Sequence, residues 1–397
     1  MYMERVPVTA GISPSVPRSA MISSRSTQSP QPIASIDGIR EQHDRGLIIL
    51  SPASGRPLRR ILFVNGYGGA AVWEKVKQGL LPTNHLWGCI QLVRMGYEVA
   101  MAEPIPDFNP RRRPLPHDLK LFRAVTGYLQ RDDIVYCAHN RLYWIPFLRS
   151  LGLVRRHIVS LLYAHENLDH ARAHSGIIAL TPAAAEQAAR LAPHAKIVHL
   201  GWGSDLSFYP PLPYRPEAFL HCGISGRDFK TLSAAAKLCP HPIRVITAWP
   251  VAGYNWPAHV TLINGGSGHN HENKKVSYQE LVDQHYSRSA ASLITTVANP
   301  AKNHAFGFTN LIEAMALAQP IIQTRTGALA DEIDVERQGC GIVIPAEDAE
   351  ALAAAMNTIM EDPVRAAEMG RRSRELCETH YNIDRFSADL HKLFSSL

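Results

Sequence analysis

The chain has 397 residues, Lys+Arg 41 against Asp+Glu 35 for a formal charge of +6, and a 46% hydrophobic and 19% charged content. That length exceeds the ~100–200 residues usual for one domain and predicts two substantial cores, while no apolar run reaches the ~18 residues of a membrane span. The charge favours anionic ligands or an anionic membrane surface and is silent on fold.

Residues 1–58 read as a largely disordered tail and lead-in. The first 36 contain one acid, Glu4, and stretches such as Ser13-Pro14-Ser15-Val16-Pro17, without the apolar core of a signal peptide. Cys89, Cys137, Cys222, Cys239, Cys340 and Cys377 are scattered, without a Cys-x-x-Cys pair, and are expected as reduced thiols of a cytoplasmic protein.

Arg60-Ile61-Leu62-Phe63-Val64-Asn65, stopped by Gly66-Tyr67-Gly68-Gly69, predicts a buried parallel strand ending in a Gly-rich turn. A helix is expected over about 86–95, closed by Gly96, then strands near 97–102, 133–137, 157–163, 176–180 and 196–200. Strands alternating with helices predict a doubly wound domain over 59–212. The proline-rich 210–216 interrupts the alternation and reads as the interdomain linker. A second such domain is expected over 213–380, with strands near 219–223, 243–247, 260–264, 291–296 and 320–324. Residues 348–360 and 363–380 read as amphipathic helices, and 383–397 carries Phe386, Leu390 and Phe394 on one side. That last segment is expected to pack back on the first domain. Trp249, Tyr254 and Trp256 suit either packing or stacking on a base.

In the second domain, Gly307-Phe308-Thr309-Asn310 runs straight into a helix at Leu311. Free backbone N–H groups and the positive end of the helix dipole meet there, which suits a diphosphate. Glu313, one turn in, is placed to accept from two adjacent ribose hydroxyls; the alternative is a Glu that only stabilises the helix start. Cys222-Gly223-Ile224-Ser225-Gly226-Arg227-Asp228-Phe229-Lys230 reads as strand, glycine turn, then helix. His269-Asn270-His271-Glu272 offers metal-ligand types without an obvious fourth partner, and reads as a solvated loop.

Leu311-Ile312-Glu313-Ala314-Met315-Ala316-Leu317-Ala318-Gln319-Pro320-Ile321-Ile322 resembles the Leu-Glu-Ala-Met-Ala-x-Gly-x-Pro-Val-Val segment of retaining family-four glycosyltransferases. Gly201-Trp202-Gly203-Ser204-Asp205-Leu206-Ser207-Phe208 is similar to that family's Gly-Val-Asp-x-x-x-Phe, and residues 339–348 to its Gly-x-Leu-Val-x-Pro followed by Asp. The resemblance covers about residues 60–395. It implies an α/β fold of the GT-B type, two Rossmann-like domains facing across a cleft, and transfer of a sugar from a UDP- or GDP-type donor without a metal or other cofactor.

By that resemblance the donor is held by Ser225, Gly226, Gly307, Phe308, Thr309, Asn310 and Glu313, with Gly68 and Gly69 facing the diphosphate from the other domain. Arg227 and Lys230 would stabilise the leaving diphosphate, and His165, after a first-domain strand, would stand near the donor sugar. A surface salt bridge for Arg227 and a structural role for His165 are the competing readings. Lys230 stands closer to the glycine turn than the family's Lys.

One departure is plain: the acid usually found eight positions before the helix Glu is here Ala305, beside His304. Gly307-Phe308-Thr309 is similar to a Gly-x-Thr variant of the loop, and the missing acid leaves donor sugar and stereochemistry open. A nucleotide-sugar epimerase or phosphorylase of the same shape, or a noncatalytic nucleotide-sugar-binding protein, are the alternatives. The acceptor is not readable, nucleic acid is not expected as a partner, and Arg111-Arg112-Arg113 allows peripheral membrane contact or a solvated loop.

Overall fold

A computed structural model describes residues 38–44, 46–65, 68–102, 126–138, 144–163, 168, 170–264, 271–272, 276–298 and 305–397. Its first half runs β1 (Ile39–Asp44), β2 (Leu47–Pro52), β3 (Arg60–Val64), α1 (Gly69–Lys77), α2 (Cys89–Arg94), β4 (Glu98–Ala102), β5 (Ile134–Cys137), α3 (Trp144–Ser150), β6 (His157–Leu162), β7 (Gly176–Ala179), α4 (Pro182–Leu191) and β8 (Lys196–His199). These strands form an eight-stranded sheet in the order β1-β2-β4-β3-β5-β6-β7-β8. Pairing is parallel from β4 to β8 and antiparallel at β1-β2 and β2-β4.

Two sequence expectations need correction here. Residues 39–52, assigned to the lead-in, build the antiparallel edge of this sheet, because Leu47-Ile48-Ile49-Leu50 is a continuous apolar run that is wholly buried there. The helix expected over 86–95 is broken: a 3-10 turn, Thr83–Leu86, is separated from α2 by Trp87 and Gly88, both in the left-handed region at φ 51° and 83°. Consecutive left-handed residues cannot continue a right-handed helix.

The second half runs β9 (Ala218–Cys222), α5 (Phe229–Leu238), β10 (Ile243–Ile246), β11 (Val260–Ile263), β12 (His271–Glu272), β13 (Ser289–Ile294), α6 (Phe308–Ala316), β14 (Ile321–Thr324), α7 (Ala328–Glu332), β15 (Gly341–Ile344), α8 (Ala349–Glu361), α9 (Pro363–His380) and α10 (Ile383–Ser395). Helix starts follow local chemistry. Asp228, Asp348, Asp362 and Asn382 each accept from the backbone N–H three residues on, and Pro363 occupies the position where its missing N–H is no loss.

The seven strands lie in the order β12-β11-β10-β9-β13-β14-β15, all parallel. Without the edge strand β12 this is the doubly wound order in which the chain reverses direction between its first and fourth strands, here β9 and β13. Ligands of such sheets bind at the strand carboxyl ends beside that reversal. His271 and Glu272, expected in a loop, form the edge strand by pairing with Leu262 and Ile263.

The chain crosses between the sheets twice, and the crossings touch backbone to backbone. Ser204 N–H donates to the Tyr381 carbonyl at 2.8 Å and Ile383 N–H to the Ser204 carbonyl at 2.9 Å. Gly203 makes this possible, since a Cβ there would collide with the carbonyl group of Asn382. After the second crossing α10 lies on α2: Gly88 faces Ser387 and Leu390, and Tyr97 Oη bonds His391 Nδ1 at 2.9 Å. One continuous core therefore includes Leu92 and Phe63 of the first sheet's layer, Trp202 and Tyr209 of the connection, and Phe308 and Leu311 of α6. All six cysteines are free thiols, and no helix among the described residues is long and apolar enough to cross a membrane.

Candidate active site

The turn after β9 is shaped by two glycines. Gly223 has φ +119°, and a Cβ there would run into the guanidinium of Arg227; Gly226 has φ +64°, and a Cβ there would run into the Phe306 ring. No other residue fits both the backbone and the space. Arg227 folds back over this turn, donating from Nε to the Cys222 carbonyl at 3.1 Å, from Nη1 to the Ser225 carbonyl at 3.1 Å, and from Nη2 to Asn310 Oδ1. It is 8% exposed, and the burial pulls its pKa down from the usual guanidinium value. Its backbone bridges Thr296, which puts the cation at the β9–β13 reversal.

Gly307 starts α6 at φ +90°, with no side-chain hydrogen bond capping the helix. A Cβ on it would lie 2.8 Å from Ile294 Cγ2. The Phe308 N–H turns back to the Ala305 carbonyl, and the N–H groups of Thr309 and Asn310 are left for an external acceptor. Phe308 is buried under them, while Thr309 and Asn310 keep part of their surface exposed. Asn310 links the two loops: Oδ1 accepts from Arg227, and Nδ2 donates to Cys222 Sγ at 3.2 Å.

Glu313 lies one turn inside and is 1% exposed. Tyr209 Oη donates to Glu313 Oε1 at 3.0 Å, and the Asn310 side chain bonds the same carboxylate. Burial raises the Glu313 pKa to about 7, against the opposing pull of the Tyr209 and Asn310 bonds and the Arg227 charge. Burial likewise pushes Cys222 up to about 12, with the Glu313 charge adding to it. Tyr286 completes the group, its buried hydroxyl standing beside Cys222 and Asn310. The result is a buried polar network, Arg227–Asn310–Glu313–Tyr209, beneath the uncapped start of α6.

The structure brings Ser225, Gly226, Arg227, Gly307, Phe308, Asn310 and Glu313 into one cluster, with Thr309 on the same helix turn. Lys230 is not part of it: it is exposed in the first turn of α5 and makes no side-chain hydrogen bond or ion pair among the described residues. Ala305 is half-buried, with its carbonyl accepting from Phe308 N–H at 3.3 Å. On the first sheet, Gly68 (φ +72°) starts α1 without a side-chain cap, and Gly69 lies against Phe63 and Met101. His165, His304, Arg111-Arg112-Arg113 and the His269-Asn270 half of the His-rich run lie outside the described residues.

Tyr209, Cys222 and Tyr286 are members of the cluster that sequence reasoning missed. Tyr209 belongs to the connection between the sheets, where Arg374 of α9 donates from Nη1 to the Tyr209 carbonyl at 2.7 Å and to the Ala316 carbonyl at 2.5 Å. That arginine fixes the connection against the carboxyl end of α6. The same connection reaches the other end: Trp202 meets Phe308 edge-on with ring centroids 6.3 Å apart.

Known proteins are similar to this chain in part of its sequence and in its fold. Residues 269–376 match the family described as glycosyl transferases group 1. The chain is 33% identical over 103 residues to alpha-maltose-1-phosphate synthase of Mycolicibacterium smegmatis, covering 25% of this chain and 26% of that one. It is 27% identical over 212 residues to D-inositol 3-phosphate glycosyltransferase of Kineococcus radiotolerans, covering 45% and 47%. The matches thus span less than half the length of either relative. The fold is similar to that of Anabaena Alr3699/HepE, crystallised with UDP and glucose, with a TM-score of 0.57, 15% identity, and 85% of this chain and 100% of that one covered. The chain accordingly has an α/β fold of the GT-B type, and its residues 269–376 are similar to the glycosyl transferases of group 1.

Proposed function

We propose that the protein transfers a glycosyl group from a nucleoside-diphosphate sugar, held by the second sheet, to an acceptor held mainly by the first. The observation that carries this reading is the uncapped start of α6 at the β9–β13 reversal, with Arg227, Asn310 and Glu313 linked beneath it. The names of the relatives, a maltose-phosphate synthase and an inositol-phosphate glycosyltransferase, support it.

As the bond from the sugar's C1 to the diphosphate breaks, negative charge gathers on the leaving phosphate oxygen. The free N–H groups of Thr309 and Asn310 and the buried Arg227 charge face that change with little reorganisation, so they stabilise the transition state more than the ground state. In the retaining course, the acceptor oxygen joins C1 on the face the diphosphate leaves, and the departing phosphate oxygen takes the acceptor's proton. No enzymic nucleophile is needed, which suits a site with Ala305 where an acid usually stands. Glu313 receives the ribose hydroxyls by exchanging them for its bond from Tyr209.

Nucleoside diphosphate release from a panel of UDP- and GDP-sugars, with and without candidate hexose, inositol and lipid-linked acceptors, tests the reading. Acceptor-dependent release from one donor is expected, with the product's anomeric configuration read by NMR. Conversion of a donor to its isomer without any acceptor would replace transfer by epimerisation.

A further inference from the structure

The 3-10 turn Thr83–Leu86, between α1 and α2, carries polar groups that the fold itself leaves unserved. Asn84 is 0% exposed, yet neither its side-chain nitrogen nor its oxygen has a partner. The buried Nε2 of His85 and the indole N–H of Trp202, itself 3% exposed, are also unpaired. Unpaired buried polar atoms destabilise a fold, so their persistence in one place calls for a partner from outside the chain. His85 is half-buried as a residue, while its Nε2 is covered.

These groups stand against the donor half of the molecule. The His85 ring lies edge-on to Trp202, centroids 6.5 Å apart, and to Tyr278 of the second half, at 5.3 Å. Trp202 in turn meets Phe308, the first residue of α6. The turn is held from below: Asp205 Oδ2 accepts from Thr83 N–H at 2.9 Å and Thr83 Oγ1 at 2.6 Å, and Gln91 reaches Thr83 Oγ1 at 3.4 Å. The other oxygen of Asp205 takes Ser207 N–H and Oγ. Its charge is therefore spent on the scaffold.

What remains is uncharged. Burial alone lowers the His85 pKa to about 4, so near neutral pH its ring has one donor and one acceptor nitrogen. A phosphate would call for cations; amide, neutral imidazole and indole, offering donors and acceptors together between aromatic faces, match hydroxyls that donate and accept at once. We propose that Asn84, His85 and Trp202 form a subsite for the uncharged hydroxyls of a sugar at the mouth of the donor site. This rests on the glycosyl-transfer reading, and the sugar is either the donor's or the acceptor's.

Calorimetry on the full chain and on Asn84→Leu, His85→Phe and His85→Gln tests it, with UDP and GDP, UDP-glucose and GDP-mannose, and free glucose and mannose at saturating nucleoside diphosphate. In His85→Phe and Asn84→Leu, nucleoside diphosphate affinity should stay within about twofold while sugar-dependent affinity falls at least about tenfold, with partial recovery in His85→Gln. A loss confined to the nucleotide sugars assigns the donor's sugar; a loss confined to free hexose assigns the acceptor's. Unliganded His85→Phe and Asn84→Leu should match or exceed the wild-type melting temperature, because an unpaired polar group has been removed. Equal losses for nucleoside diphosphate and nucleotide sugar, unchanged sugar affinity, or a clear fall in melting temperature in both variants would overturn the subsite. Failure of the wild-type chain to bind any nucleoside diphosphate would instead remove the reading beneath it.

Discussion

The Tyr209 hydroxyl, on the segment that joins the two sheets, donates a 3.0 Å hydrogen bond to Glu313 inside α6, and each residue is 1% exposed. The candidate donor carboxylate is thereby tied to the interdomain connection rather than standing free in its own domain. Removing the phenol hydroxyl leaves a buried carboxylate short of a donor, which costs about 1–3 kcal/mol. Tyr209→Phe should therefore lower stability by that amount and raise the Glu313 pKa further, measured by chemical denaturation across pH.

Glu313 also sets a pH dependence with a definite sign. Its folded pKa of about 7 lies above the usual glutamate value of 4.5, so the folded chain binds more protons than the unfolded chain between those values. Stability from this group falls as pH rises through that window, by about 3 kcal/mol in order of magnitude, and the full cost is present above about pH 7. Glu313→Gln, which cannot ionise, should gain on the wild type between pH 5 and pH 8. A constant difference between the two in denaturation curves would remove the raised pKa.

Gly226 and Phe306 form a close pair across the two loops of the site. Gly226→Ala meets both a positive φ and the Phe306 ring, and is expected to cost about 1–3 kcal/mol and most of the activity. Phe306→Ala placed on top should restore part of both, because only the steric half of the problem is lifted. The double-mutant cycle measures that coupling directly.

Gly203 is the corresponding constraint at the crossing of the two connections. Gly203→Ala drives a Cβ into the Asn382 backbone, which cannot rotate away as a side chain could, so a loss above about 3 kcal/mol or a failure to fold is expected. Gly253→Ala, with nothing within 4 Å of its new Cβ, is the matched control and should change the melting temperature little.

The sheets were legible because parallel strands buried on both faces read as short apolar runs ending in turn residues, as at 60–64, 218–222 and 321–324. Arg227, Asn310 and Glu313 were legible through the glycine turn and helix start that carry them. Tyr209 was not, since a tyrosine in a proline-rich connection has no local pattern, and the Arg374 clamp that ties it to α6 joins residues distant in sequence. The same holds for Asn84 and His85: their lack of partners is a property of the packed fold. The edge hairpin at 39–52 was lost for a simpler reason, its apolar run following a long Ser/Pro-rich stretch that masked it.

Arg227 carries the cation of the site, and three of its N–H groups are committed to its own turn and to Asn310. Arg227→Lys keeps the charge but cannot make this planar set of bonds, so it should rescue Arg227→Ala only weakly. In steady-state kinetics the loss is expected in kcat more than in donor KM, as for a group that acts on the leaving diphosphate.

The central claim is that the network Arg227–Asn310–Glu313 under the start of α6 holds a nucleoside diphosphate. Isothermal titration of the full-length chain with UDP and GDP, repeated on Asn310→Ala and Glu313→Gln after each is shown to fold, tests it most directly. One nucleotide should bind the wild type and lose at least about tenfold, about 1.4 kcal/mol, in each variant. Equal affinity in wild type and both folded variants would contradict the account.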